Sequence, residues 1–177
     1  GVAVLNGALE DGRMQVVGLL LPSDFLGRPG RPKVGHNVSA ATDVTLCCFQ
    51  RRPFEALLIE LPHLRERLLE MALDELDAAR EWMLLLGRKT AREKVASFLM
   101  LVVRRSANPD AGALGDPAEI VLPLSREAIA NYLGLTIETV SRQLTALRKE
   151  GVIDIEETRT IRVLQDVELV RIAGLSA

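Results

Sequence analysis

Two apolar runs open the chain, Val2 to Leu9 and Met14 to Leu20, with Asp11-Gly12 between them. Strand-like alternation and a turn pair that tolerates positive φ predict a β-hairpin. Pro22, Gly27, Pro29, Gly30, Pro32 and Gly35 then break any regular pattern and predict turns and loop. Val38 to Gln50 returns to strand character, ending in the apolar run Val44 to Phe49. Short strands with frequent turns suggest a small barrel or roll. Near Pro62 the period changes, and His63 to Leu86 reads as one long helix that Gly87 ends. Leu69, Ala72, Leu76, Ala79, Met83 and Leu86 recur at spacings of 3, 4, 3, 4 and 3, a heptad seam. Leu64, Leu68, Leu73, Leu84 and Leu85 make a second side apolar. Such a helix needs two partners: its own domain, and the same helix of a second subunit. The alternative is one fully buried core helix.

Thr90 to Glu93 has capping-box spacing and starts a helix that runs to Ser106. Residues 107 to 119 are read as a loop, and Ile120-Val121-Leu122 as a short apolar run. Ser125 caps a predicted helix from Arg126 to Leu133, Gly134 breaks it, and Thr136 caps a second from Ile137 to Glu150. Gly151 supplies the stop, and Val152 to Ile155 with Thr160 to Leu164 read as a two-stranded wing. In the second helix Val140, Leu144 and Leu147 share the inward face, which leaves Glu138, Ser141 and Arg142 outside near its start. A recognition helix reads base edges with those N-terminal positions. Arg142 suits a bidentate contact to guanine, Glu138 accepts from a cytosine amino group, and Ser141 bonds a base or a phosphate. The competing reading is an ordinary solvated face. The caps, the Gly turn and the wing together favour double-stranded DNA binding.

Composition narrows the classes. With 22 Lys+Arg against 24 Asp+Glu the net charge is -2, which excludes a wholly basic polyanion binder. From Asn108 to Ala177 there are 7 Lys+Arg and 11 Asp+Glu, a net of -4, so phosphate contacts must come from local donors. Aromatics make up only 3%, too few for single-strand stacking. No apolar run reaches membrane-span length, and two cysteines make no disulfide framework, which fits a reducing cytoplasm. His36 and His63 stand apart, and no phosphate-binding or nucleophile motif occurs, so no enzyme activity is expected. Arg51-Arg52 and Arg104-Arg105 read as solvated doublets. A start at Gly1 without Met leads to the expectation that the sequence is N-terminally incomplete.

Three stretches carry a family resemblance: Phe25 to Arg31, Leu73 to Lys94 and Asn131 to Arg142. On these the chain resembles the CRP/FNR family, and within it the FNR branch in its α-proteobacterial, FnrL-like form. The resemblance implies an α+β fold: a partial β-roll of the cyclic-nucleotide-binding jelly-roll type (1–62), a dimerisation helix (63–87) and a winged helix-turn-helix domain (88–177). It implies a homodimeric transcription regulator that binds a TTGAT-type inverted repeat and responds to oxygen or redox state. The family's base-reading motif falls on Glu138, Ser141 and Arg142, flanked by Thr136 and Thr139, and its dimer seam on Leu69 to Leu86. RNA polymerase is an implied partner, through loops 22 to 32 and 51 to 53. The branch's oxygen-labile [4Fe–4S] cluster takes one cysteine from this region, and Cys47 matches that position, with Cys48 as second choice. Cysteine in an apolar strand is otherwise a small core residue, and strand alternation turns the two to opposite faces. The other three ligands are absent, so the 177 residues are expected to hold no cluster alone. A cyclic nucleotide is not expected, since Arg28 and Pro29 follow Gly27, and Val34-Gly35 stand where the family's Arg-Ser pair holds the phosphate. Two alternatives stay open: a FixK-like regulator with the same DNA reader and no cluster, and a dimeric interaction module that does not bind DNA.

Overall fold

The computed structural model describes residues 1–8, 10–12, 14–31, 35–106 and 118–174, and its backbone divides into two compact units, Gly1–Leu84 and Leu85–Ala177. The expected loop thus lies outside the described residues from 107 to 117, as do Leu9, Pro32 and Val34.

In the first unit, β1 (Ala3–Ala8) and β2 (Met14–Leu20) pair antiparallel, as the two apolar runs predict. Gly12 turns between them at φ +86°, a conformation that costs a residue with a Cβ. A third strand, β3 (Asn37–Ala40), lies on the other side of β1, giving the order β2-β1-β3. Val4 and Val16 are buried beneath the sheet. The strand expected from Val38 to Gln50 stops at Ala40, and residues 43–50 are irregular. An apolar run becomes a strand only with a ladder partner, and this stretch finds none among the described residues. The sequence reading also placed Arg51–Pro53 in a loop, whereas they begin α1 (Arg51–Glu60). Pro53 sits within the first turn, where its missing N–H leaves no helical bond unmade. Phe54 of α1 stacks on Phe25 at a centroid distance of 5.4 Å, and Glu55 accepts from the Gly30 backbone N–H at 2.9 Å, so α1 ties down the Pro/Gly-rich segment.

Helix α2 (Pro62–Arg88) starts on a proline, the residue whose fixed φ suits a first helical position. It runs through Gly87 rather than ending there. No side chain of α2 is buried, which excludes a fully buried core helix within this chain. On the seam Leu69 is 59%, Leu76 46% and Met83 62% exposed, Ala72 and Ala79 are exposed, and Leu86 is half-buried. Leu64, Leu68 and Leu85 of the other side are partly covered, while Leu73 and Leu84 are not.

The second unit holds α3 (Ala91–Ser106), β4 (Ala118–Val121), α4 (Arg126–Leu133), α5 (Ile137–Lys149), β5 (Ile153–Ile155), β6 (Thr160–Val163) and α6 (Asp166–Ala173). The predicted capping box forms: Thr90 N–H donates to Glu93 Oε2 at 2.6 Å and Glu93 N–H to Thr90 Oγ1 at 3.3 Å. Helix α3 is the spine of the core, with Val95, Phe98, Leu99 and Val102 buried and Phe98 edge-on to Tyr132. Helix α6, unforeseen in the sequence, packs on α3 through Leu169 and Ile172, both buried. Lys89 Nζ, ahead of α3, donates to the Ala173 carbonyl at 2.6 Å and to Ser97 Oγ at 2.7 Å. The sheet order is β4-β6-β5, all antiparallel, and residues 118 and 119 belong to β4 rather than to a loop.

Candidate nucleic-acid interface

Local chemistry fixes the two helices. Ser125 Oγ accepts from Ala128 N–H at 3.1 Å and caps α4. Gly134 ends α4 in the left-handed region at φ +61°, ψ +43°, its N–H returning to the Ala130 carbonyl. A Cβ there would pay a backbone penalty, because the nearest atom, Leu86 Cδ2, would stand at an ordinary 3.6 Å. Two residues later Thr136 caps α5, its Oγ1 accepting from Thr139 N–H at 3.2 Å. The short turn between the caps sets the angle at which α5 leaves α4.

Val140, Leu144 and Leu147 are buried and seat α5 on the core. Glu138, Ser141 and Arg142 are exposed on the other side, as the period of the helix requires. Their environments differ. Glu138's own backbone N–H, the Thr136 hydroxyl and the nearby Arg142 hold its carboxyl below the usual carboxylate range. Thr136 and Thr139 serve the cap, and their hydroxyls stand 3.0 Å apart. Thr145, exposed one turn beyond Ser141, donates to the Ser141 carbonyl at 2.8 Å.

Two residues on this surface escaped the sequence reading. Ile137, first in α5, is 43% exposed at the head of the apolar stripe. The spacing of 3, 4 and 3 puts it on the face of Val140, Leu144 and Leu147, and its place at the helix start is what leaves it partly uncovered. Arg126, first in α4, had no signal along the sequence. Its Nη2 donates to the Thr158 carbonyl in the wing turn at 3.4 Å, and its Nη1 is enclosed without a hydrogen-bond partner. Burial lowers its pKa. The wing itself is held by the ladder, by Glu156 N–H on the Thr160 carbonyl at 3.1 Å and by an Arg162–Glu156 ion pair. An Arg148–Asp154 pair at 3.3 Å ties β5 to the end of α5.

Cys47 and Cys48 lie in the irregular stretch 43–50, and both are exposed. Neither is the packed core residue, nor part of the alternating strand, that the sequence suggested. Among the described residues no group of three or more His, Cys, Asp or Glu is placed to hold a metal ion. No helix among them is long and apolar enough to cross a membrane.

Known proteins agree with this architecture. Residues 93–172 match the Crp-like helix-turn-helix domain. The chain is 56% identical over 174 residues to the transcriptional activator protein FnrL of Cereibacter sphaeroides, covering 98% of this chain and 70% of that protein. It is 44% identical over 155 residues to the nitrogen fixation regulation protein FixK of Bradyrhizobium diazoefficiens, covering 88% and 64%. The solved structure of FixK2 from Bradyrhizobium japonicum superposes with a TM-score of 0.84 at 33% identity, over 100% of this chain and 85% of that one. An α+β chain with a capped helix-turn-helix, a wing and these relatives is not an enzyme: it belongs to the CRP/FNR family, in its FnrL-like branch, and is a DNA-binding transcription regulator.

Proposed function

We propose that this regulator is of the FNR type: a cytoplasmic homodimer that reads a TTGAT-type inverted repeat with Glu138, Ser141 and Arg142 and answers to oxygen or redox state. The observation that carries the reading is the division of α5 into a buried stripe and an exposed, polar reading face at its N-terminal end. Arg142 takes guanine, Glu138 a cytosine amino group, and Ser141 a base or phosphate. Thr136 and Thr139 shape the end of the helix that enters the groove. Phosphate contact falls to local donors, among them backbone N–H groups and helix N-termini. The α2 seam, from Leu69 to Leu86, joins two subunits and sets the two reading helices one DNA turn apart. RNA polymerase is a further partner of the assembled dimer, and no cyclic nucleotide is used, Arg28 and Pro29 following Gly27.

A [4Fe–4S] cluster takes four thiolates. The chain has two cysteines, adjacent and exposed, so its own residues do not make up a cluster site. Cys47, then Cys48, is the candidate for one ligand. The likeness to FixK and to the FixK2 structure supports a second reading, a FixK-like regulator with the same DNA reader and no cluster. The two part on iron and sulfide analysis of the native protein isolated without air: stoichiometric inorganic sulfide for the first, none for the second.

The base-reading role is tested by Arg142→Ala. Affinity for a TTGAT-type duplex should fall by about 1–3 kcal/mol, with preference relaxed at the guanine position and not elsewhere. Unchanged binding to specific and random duplexes alike would remove Arg142 from the reading face.

A further inference from the structure

Arg92 stands in the first turn of α3, and Glu150 is the C-cap of α5, 58 positions later. Arg92 Nη1 donates to Glu150 Oε1 at 2.7 Å, and Nη2 donates to Oε2, so the contact is two-pronged. Planar guanidinium and carboxylate fix each other's orientation in this arrangement, which a single bond does not. Each charge is set against its own helix. A cation near a helix N-terminus and a carboxylate at a C-terminus both meet the like-signed end of the dipole. The placement gains only from the partner across the gap. The pair raises the pKa of Arg92 and lowers that of Glu150, and Glu168 in the first turn of α6 adds to the field on Arg92.

Its leverage follows from helix geometry. At 1.5 Å per residue, Arg142 lies about 12 Å and Glu138 about 18 Å along α5 from Glu150. A tilt of about 5° about that end would move Glu138 by roughly 1.6 Å, beyond the ~0.5 Å that a bidentate base contact tolerates. The buried stripe of Val140, Leu144 and Leu147 decides which face of α5 turns inward. At the far end Arg148 ties α5 to β5, and Arg92 ties it to α3.

We propose that Arg92 and Glu150 are positioning residues for DNA reading, a clamp that fixes the pitch of α5 from its C-terminal end; the inference rests on the assignment of α5 as the reading helix. The test uses the whole chain as wild type, Arg92→Ala, Glu150→Ala and the charge swap Arg92→Glu/Glu150→Arg. Binding is measured by fluorescence anisotropy on a duplex that the wild type selects from a random pool, and on a random duplex. Each single variant should lose about tenfold on the selected duplex and little on the random one. The swap, which keeps the pair and suits both helix dipoles, should regain most of the loss. If Arg92→Ala weakens both duplexes alike and Glu150→Ala weakens neither, Arg92 is a phosphate contact and the clamp is refuted. Equal affinities throughout refute it too. The amide shifts of Glu138 to Arg142 in the DNA-free chain give a second readout: they should move in the single variants and return in the swap, and unmoved shifts overturn the proposal. If the wild type selects no sequence, the assignment of α5 fails, while the amide shifts still decide the clamp.

Discussion

Replacing Leu76 with Glu puts the subunit contact to a quantitative trial. Full burial of a leucine side chain stabilises by about 1.5–3 kcal/mol. Leu76 is 46% exposed in the single chain, so about 1 kcal/mol remains to be gained from a partner. A two-fold contact presents the same residue from both sides, which makes the loss about 2 kcal/mol per dimer. The substitution also brings two carboxylates towards each other, adding at least ~1 kcal/mol even at the dielectric of water. Together these raise the dimer dissociation constant by roughly a hundredfold. Sedimentation velocity over a concentration series, wild type beside variant, reads this directly. Superimposable association curves would show that the seam does not face a second subunit, whatever else covers it.

Further outcomes follow from the caps and the carboxylates. Gly134→Ala should lower the stability of the DNA-binding unit by about 1–2 kcal/mol, the cost of a left-handed conformation with a Cβ, since the space around it is open enough. A chemical denaturation midpoint equal to wild type would contradict that. Acid should destabilise the chain in a defined window. Glu93 is held below 4.5 by the Thr90 backbone N–H, Glu138 by its own, Glu150 by Arg92 and Glu168 by Arg171. Unfolded, these groups bind protons first, so their contribution is fully present above pH 4.5 and is lost as pH falls through the lower folded values. Melting temperatures should therefore drop below that pH, and a flat profile there would argue against all four contacts.

Where signals are local, the sequence reading and the structure coincide. Ser125, Gly134, Thr136 and Gly151 each act within four residues, and the helices they bound run from Arg126 to Leu133 and from Ile137 to Lys149. The run Val44 to Phe49 shows the opposite case. Its composition suits a strand, but a strand exists only against a neighbour, and the exposure of Cys47 and Cys48 follows from having none among the described residues. Helix α1 begins where residues 51 to 53 read as a loop and Arg51-Arg52 as a solvated doublet. Helix α6 is eight residues long with a plain cap, too short to announce its period. On the reading face, helical period alone put Glu138, Ser141 and Arg142 outside. The bond from Arg126 Nη2 to the Thr158 carbonyl and the grip of Arg92 on Glu150 join positions 32 and 58 apart, which no window along the chain contains.

The bond from Lys89 to the Ala173 carbonyl has a consequence for how such proteins are assembled. It places the entry and the exit of the DNA-binding unit side by side, closing the unit on itself. A fold whose two ends meet is a transferable cassette: it tolerates cutting and rejoining elsewhere, and it can be grafted behind an unrelated sensor without internal repair.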